Sequence, residues 1–324
     1  MVSFKANRSD PELVVPALPT PRETKTLSDV DTQPALRFYA TGVEFFSRRP
    51  TIDGDDDHAQ PEDAAKAVKA ALAKALVYFY PVAGLQHLVP SKTLTLPTPW
   101  PLTDHDMVGE YFFFGPREIA SLRSHARLHH GSSSSTVFEL ITAAMWKCRT
   151  VALGHAPDQR ASLLITMNAR GRWKCDPPLP QGFYGNGFVY LVVETMASEL
   201  CSSSSLGHAV ELVQKAKLDM TEEFTKSMVD LIALHGGPPY VPGWTFVVSD
   251  ITRIGVDALD FGWAQRVGGG VPMVGDVKSK QVSYQMRCAN VNGEDCVVAS
   301  MFLPEPAMDT FAKEIFALSS EIDK

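Results

Sequence analysis

The chain has 324 residues, 45% of them hydrophobic and 21% charged, the composition of an ordinary globular protein. This excludes a disordered, collagen-like or coiled-coil chain, and at about 150 residues per domain it suggests two domains. Thirty Lys and Arg stand against 37 Asp and Glu, a formal net charge of −7, so a general nucleic-acid binder is not expected, while a local basic patch for a small anion stays open.

No stretch approaches the roughly 18 apolar residues of a membrane span. Residues 1–10 lack the charged-then-apolar pattern of an export signal. The cysteines, Cys148, Cys175, Cys201, Cys288 and Cys296, are odd in number, widely spaced and free of any C-x-x-C pair. They read as reduced thiols of a cytoplasmic protein, each a small buried hydrophobe rather than a nucleophile.

In chain order, Pro11, Pro16, Pro19, Pro21 and Pro34 make residues 1–35 an extended arm, because proline is excluded from helix interiors and central strands. The aromatic and branched residues of 36–46 predict a strand. Pro61-Glu62-Asp63 opens a helix, with proline at its first position and acids at the positive dipole end. Val68, Leu72 and Ala75/Leu76 give that helix an apolar face, and Pro81 is expected to end it. From 85 to 108 the pattern dissolves among Pro90, Pro97, Pro99 and Pro101, marking a boundary or linker.

Pattern resumes with an aromatic strand at 110–114 and a short helix opened by Pro116. Thr136 and Glu139 have the spacing of a capping box, with Val137, Leu140/Ile141, Ala144/Met145 and Cys148 on the apolar stripe behind it. Strands are expected at 162–167, 188–193 and 244–248, and one or two helices at 206–234. Val282, Tyr284, Met286 and Cys288 alternate strictly, predicting a half-exposed strand. Asn292-Gly293 is a hairpin turn leading to a partner strand at 296–303, and Phe311, Ile315 and Leu318 mark a closing helix. The class is mixed α/β.

Several chemical patterns fail on inspection. The acidic run Asp53-Gly54-Asp55-Asp56-Asp57 has His58 where a calcium loop needs glycine and Ala64 where it needs a carboxylate. It reads as a solvated loop. His125, His129 and His130 lack a further ligand at defined spacing, so no metal is expected. Ser132–Ser135 and Ser202–Ser205 are not nucleophile elbows. Gly268-Gly269-Gly270 fits no phosphate loop and reads as a flexible surface loop.

Other stretches combine unusual residues. Asn168-Ala169-Arg170-Gly171-Arg172 follows a strand, Pro177-Pro178-Leu179-Pro180-Gln181-Gly182-Phe183-Tyr184-Gly185-Asn186 follows soon after, and Asp260-Phe261-Gly262-Trp263 lies downstream. The glycines permit backbone that other residues resist, and the arginine forks suit a carboxylate or phosphate.

These stretches resemble the plant BAHD family of acyl-CoA-dependent acyltransferases. The first segments are similar too: Pro16-x-x-Pro19-Thr20-Pro21, Leu27-Ser28-Asp29-Val30-Asp31 and Tyr80-Pro81-Val82-Ala83-Gly84. From Tyr111-Phe112-Phe113-Phe114-Gly115-Pro116 the likeness runs to the end through Thr136-x-Phe138-Glu139, Trp146-x-x-Arg149 and Val248-Ser249-Asp250. Asp260-Phe261-Gly262-Trp263 matches four of five positions of the D-F-G-W-G signature, with Ala264 replacing the last glycine. Within the family the chain looks most like the alcohol benzoyl- and acetyltransferases.

The resemblance implies two chloramphenicol-acetyltransferase-like domains with a channel between them. Acyl-CoA enters as a co-substrate, with no bound cofactor, and an alcohol or amine acceptor enters from the other side. It implies a monomer with no nucleic-acid or membrane partner. The family's base is the histidine of H-x-x-x-D-G, which takes the acceptor's proton as it attacks the thioester. This chain has no H-x-x-x-D after any of its nine histidines. The motif's place in the family is the interval where the local pattern dissolves, and the chain is roughly a hundred residues, about a small domain, short of the family norm.

The reading is therefore an N-terminal domain remnant over 1–105 and a C-terminal acyltransferase domain over 106–324. No catalytic residue is assigned. His87 and His105 lie in the gap without the family's neighbours. By resemblance, Asp260 is structural and pairs with Arg170, and Phe261, Gly262 and Trp263 shape a loop near the CoA side. Thr136, Asn168, Tyr184, Gly185, Asn186 and Ser249 are channel or CoA-side positions. Three functions follow: an acyltransferase impaired by loss of its base, a non-catalytic remnant binding CoA, an acceptor or a protein partner, or a truncated reading of an intact gene.

Overall fold

The computed structural model describes residues 10–33, 36, 41–48, 61–83, 107–127, 135–171, 178–180, 182–202, 205–236, 243–261, 264–272, 282–290 and 292–320. Several expectations lie outside them: the acidic run Asp53–Asp57, the histidines His87, His105, His129 and His130, Ser132–Ser134, Arg172, Cys175, Gly262 and Trp263. The chain divides into two units, Met1–Thr26 with Arg48–Lys92 and Asp260–Gln265, and Leu27–Ser47 with Thr93–Leu259 and Arg266–Lys324.

In the first unit, helix α1 (Pro61–Ala83) starts at proline as expected but does not end at Pro81. Pro81 lies inside it, and the chain leaves helical geometry at Phe79 (φ −103°, ψ 19°). A proline ring clashes with the carbonyl four residues back and removes one helical bond, so the helix kinks rather than stops. The proline-rich arm lies on α1. Ala17 donates its N–H to the Ala73 carbonyl at 2.8 Å, Glu12 pairs with Lys69, and Tyr80 donates to Glu23. The face drawn from Val68 and Leu72 is not a core face, since they are 50% and 47% exposed.

The second unit is built on a six-stranded sheet ordered β2-β8-β7-β5-β3-β4. Its strands are β2 (Met107–Phe114), β3 (Arg160–Asn168), β4 (Phe188–Met196), β5 (Thr245–Asp250), β7 (Val282–Ala289) and β8 (Asp295–Pro304). β5 runs parallel to β3 and β7, and the remaining pairs are antiparallel. A two-stranded sheet pairs β1 (Val43–Arg48) with β6 (Ala264–Gly270). The strand expected from 36 begins at Val43, and Leu36 instead closes a turn on Gln33 and packs beside Val30. Gly268–Gly270, read as a flexible loop, is the end of β6. A Cβ on Gly269 would run into the Glu44 carboxylate and the Val43 carbonyl, so the strands close here only because the residue is glycine.

Helices α2 (Pro116–Arg127), α3 (Val137–Ala152), α4 (Ala197–Cys201), α5 (Ser205–Leu218) and α7 (Glu305–Ser319) share one hydrophobic cluster with the sheet. At its centre are Leu122, Leu140, Ile141, Trp146, Leu163, Ile165, Phe246 and Phe311. α3 begins with the expected capping box: Glu139 N–H donates to Thr136 Oγ1 and Thr136 N–H to the Glu139 carboxylate. The region 206–234 forms two helices, because Thr221 accepts from Phe224 N–H and starts α6 (Glu222–His235). α6, through Met228 and Ile232, and Val30 pack with Leu164, Tyr190 and Val247 in a second cluster.

β7 is half-exposed only at its end, where Arg287 and Ala289 reach the surface. Ser283, Tyr284, Gln285 and Met286 are all buried. β7 lies between β5 and β8, and the polar Gln285 finds its partner inside: its amide donates to Thr142 Oγ1 at 2.8 Å. An alternating pattern reports which face is polar, not which face is wet. The Asn292-Gly293 turn forms as read, with Gly293 at φ 79°.

Candidate functional site

At the end of β3 the chain turns sharply. Asn168 Oδ1 accepts from Arg170 N–H at 3.0 Å, and Ala169 N–H donates to the Gly187 carbonyl at 2.9 Å. Arg170 Nη2 donates to the carbonyls of Gly185 (2.5 Å) and Phe183 (3.4 Å). From the other side Asp31 holds the same turn. Its Oδ1 accepts from Asn186 N–H at 2.8 Å, and its Oδ2 accepts from Ser28 Oγ at 2.6 Å.

Gly185 is buried between these grips. A Cβ there would meet the Asp31 carboxylate and come within 2.6 Å of the Phe183 ring, so no larger residue fits without displacing one of them. The Phe183 and Tyr184 rings lie nearly parallel, 6.2 Å apart. Three sequence-distant stretches thus converge: Leu27–Asp31, Asn168–Arg170 and Gly182–Gly187. Asp31 was visible in the sequence only as part of a motif, since nothing local says that its partner lies 155 residues away.

The second feature crosses the sheet on the face opposite the α3 core. Tyr190 on β4 stands opposite Thr166 on β3, Thr166 beside Ser249 on β5, and Ser249 beside Tyr284 on β7. Tyr284 N–H donates to Ser300 Oγ on β8 at 2.9 Å, and Ser300 stands opposite Tyr111 on β2. One hydroxyl residue from each of the six strands forms a continuous row. At its centre Thr166 Oγ1 and Ser249 Oγ are hydrogen-bonded at 3.0 Å, with both residues half-buried, and at its edge Tyr111 donates to the Val271 carbonyl at 2.7 Å. Tyr190 and Tyr284 are buried. Burial pushes the Tyr190 phenol up to about 12 and raises Tyr284 in the same direction, because it disfavours the phenolate. The row is neutral at physiological pH. It offers donors and acceptors to an uncharged polar ligand, and it contains no group that would act as a general base. Of these residues the sequence marks only Ser249 as a channel or CoA-side position. A row made of one residue per strand has no sequence spacing, and only the register assembles it.

Thr136 is occupied as the α3 cap. The Arg170 bonds described above go to the carbonyls of Phe183 and Gly185; Asp260 is exposed and Phe261 half-buried. Among the described residues no three His, Cys, Asp or Glu side chains converge as a metal site, and no helix is long and apolar enough to cross a membrane.

A family model described as "Transferase family" matches residues 90–318. The chain is 35% identical to "Acyl transferase 1" of Oryza sativa subsp. japonica, covering 100% of this chain and 98% of the relative. That alignment runs over 480 positions while this chain has 324 residues, so a large part of the relative has no counterpart here. It is 31% identical to "Benzyl alcohol O-benzoyltransferase" of Nicotiana tabacum, covering 96% and 93% of the two chains. Among solved structures, that of vinorine synthase matches the fold with a TM-score of 0.64 at 18% identity, over 95% of this chain and 97% of that one.

Proposed function

The chain belongs to the Transferase family, the plant BAHD acyltransferases with their chloramphenicol-acetyltransferase-like fold, and we propose that it descends from an acyl-CoA-dependent alcohol O-acyltransferase and is strongly impaired as written. The absence of H-x-x-x-D carries this reading. A positioned general base contributes about 10²- to 10⁴-fold to such a transfer, and the neutral hydroxyl row has nothing to replace it. His87 and His105, the histidines of the interval that should hold the motif, are given no catalytic role.

On this reading residues 1–105 are the remnant of the N-terminal domain and 106–324 the C-terminal domain. Acyl-CoA is a co-substrate, the acceptor is a small alcohol or amine, and the protein is a cytoplasmic monomer. Thr166, Ser249 and Tyr284 would hold uncharged oxygen or amide groups of a ligand by hydrogen bonds. The turn Tyr184–Asn186 would present the Tyr184 ring and its backbone to the ligand, with Asp31 and Arg170 keeping its shape. Asp260, Phe261, Gly262 and Trp263 are structural in this scheme.

A second reading, a remnant that binds without catalysis, is favoured by the half-exposed apolar residues Val68 and Leu72 on α1.

Free-thiol release by the purified chain tests the proposal, with acetyl-CoA or benzoyl-CoA as donor and benzyl alcohol or simple alcohols as acceptor. The expected rate is at least about 10²-fold below that of a full-length alcohol acyltransferase assayed alongside. A comparable rate, or a rate abolished by His87→Ala or His105→Ala, would show that a substitute base exists and overturn it. A transcript carrying H-x-x-x-D-G between the codons of Leu85 and Val108 would make the chain a truncated product of an intact gene.

A further inference from the structure

Cys288 on β7 and Cys296 on β8 stand directly opposite each other in the hairpin register, and both are free thiols. Opposed residues of an antiparallel pair put their side chains on the same face with Cα atoms about 4.5–5.5 Å apart, inside the range of about 4.4–6.8 Å that a disulfide spans.

The turn between them is tied down by one residue. Asn290 N–H donates to the Glu294 carbonyl, and Asn290 Oδ1 accepts the N–H groups of Asn292 and Glu294, each at 2.9 Å. The Asn290 amide also donates to the Glu294 carboxylate at 2.8 Å, and beside it Arg287 pairs with Asp295 across the strands. The two cysteines are therefore held in place before any bond forms. Cys288 is half-buried and reachable, while Cys296 is buried beside Gly115.

We propose that Cys288 and Cys296 are a disulfide site: peroxide oxidises Cys288, and Cys296 resolves it into a reversible staple across the β7–β8 hairpin. In the first step the Cys288 thiolate attacks a peroxide oxygen. The O–O bond breaks, Cys288 becomes a sulfenic acid, and the departing hydroxide takes up the thiol's proton to leave as water. In the second step the Cys296 thiolate attacks the sulfenic sulfur, the S–O bond breaks and a second water leaves. Two thiols and one hydrogen peroxide give one disulfide and two waters. Burial holds both thiols above their ordinary value, so the step is slower than for an exposed cysteine at neutral pH.

The site is independent of the acyltransferase reading. Its test uses the sequence itself: no Lys or Arg falls between Arg287 and Lys313, so trypsin releases both cysteines in one peptide. The folded chain is treated with hydrogen peroxide, unfolded in acid, alkylated and digested. The untreated peptide should take up two alkyl groups. The oxidised peptide should take up none and weigh two hydrogens less than the free dithiol, and dithiothreitol should restore both alkylations. In Cys288→Ser the remaining Cys296 should stay alkylatable under the same peroxide. Two alkylatable thiols after treatment of the wild-type chain, a sulfinic acid on Cys288 beside a free Cys296, or a link from either to another cysteine would overturn the proposal, and none of these readouts needs a variant to fold.

Discussion

Asp31 accepts the backbone N–H of Asn186 at 2.8 Å across 155 residues of sequence. The same turn is gripped on its other side by Arg170, so Gly185 is held between a carboxylate from the arm side and a guanidinium from the end of β3. Asp31→Ala leaves the Asn186 N–H and Ser28 hydroxyl without their acceptor and should cost about 1–2 kcal/mol, read as a lower urea midpoint. An unchanged midpoint would mean the turn keeps its shape without Asp31.

Gly185→Ala should be worse, because the added methyl meets both the Asp31 carboxylate and the Phe183 ring. The expected loss is about 1–3 kcal/mol. In Asp31→Ala/Gly185→Ala part of that clash is gone, so the double variant should be more stable than the sum of the single losses implies. Strict additivity in denaturation experiments would show that the ring alone excludes the methyl.

Glu139 gives a pH-dependent prediction. Burial pushes its carboxyl up, but bonds from Lys217, Gln214 and the Thr136 N–H outweigh burial and hold it below the usual carboxylate value. A carboxylate depressed in the folded state stabilises above its unfolded pKa, about 4.3, and that contribution is lost as pH falls through the folded value. The wild-type chain should therefore lose urea resistance between about pH 5 and pH 3. Glu139→Gln should be weaker at neutral pH and should show a shallower decline over the same window. Parallel curves for the two proteins would remove Glu139 from the acid transition.

Gln285 and Thr142 form a buried pair between β7 and α3. Thr142→Val keeps the shape and strands a buried amide, which should cost about 1–3 kcal/mol. Thr142→Val/Gln285→Met removes both polar groups and should recover most of it. Thermal melts of the three proteins decide the matter, and a neutral single variant would mean that the amide finds another acceptor.

Much was legible from local chemistry. The capping box at Thr136 and Glu139 works over one helical turn, the Pro116 and Pro61 starts depend on a single fixed torsion, and the Asn292-Gly293 turn needs only its own backbone. Short-range rules place such features because every partner lies within a few residues. The readings that changed all depended on what lay opposite. Gln285 looks solvent-facing until α3 supplies Thr142. Gly268–Gly270 looks like a loop until β1 pairs with it. Leu72 looks like core, yet it stays half-exposed. Pro81 bends α1 instead of ending it because Phe79 gives way first.

The sequence by itself determined the family, the absence of any H-x-x-x-D and the order of the elements, since motifs and periodicities are written in neighbouring residues. Only the tertiary structure decided that Asp31 and Arg170 close on Gly185, that six strands align a row of hydroxyls, and that Cys288 faces Cys296. Those relationships depend on strand register and chain crossing, where the partner that satisfies a polar group is chosen by three-dimensional packing rather than by distance along the chain.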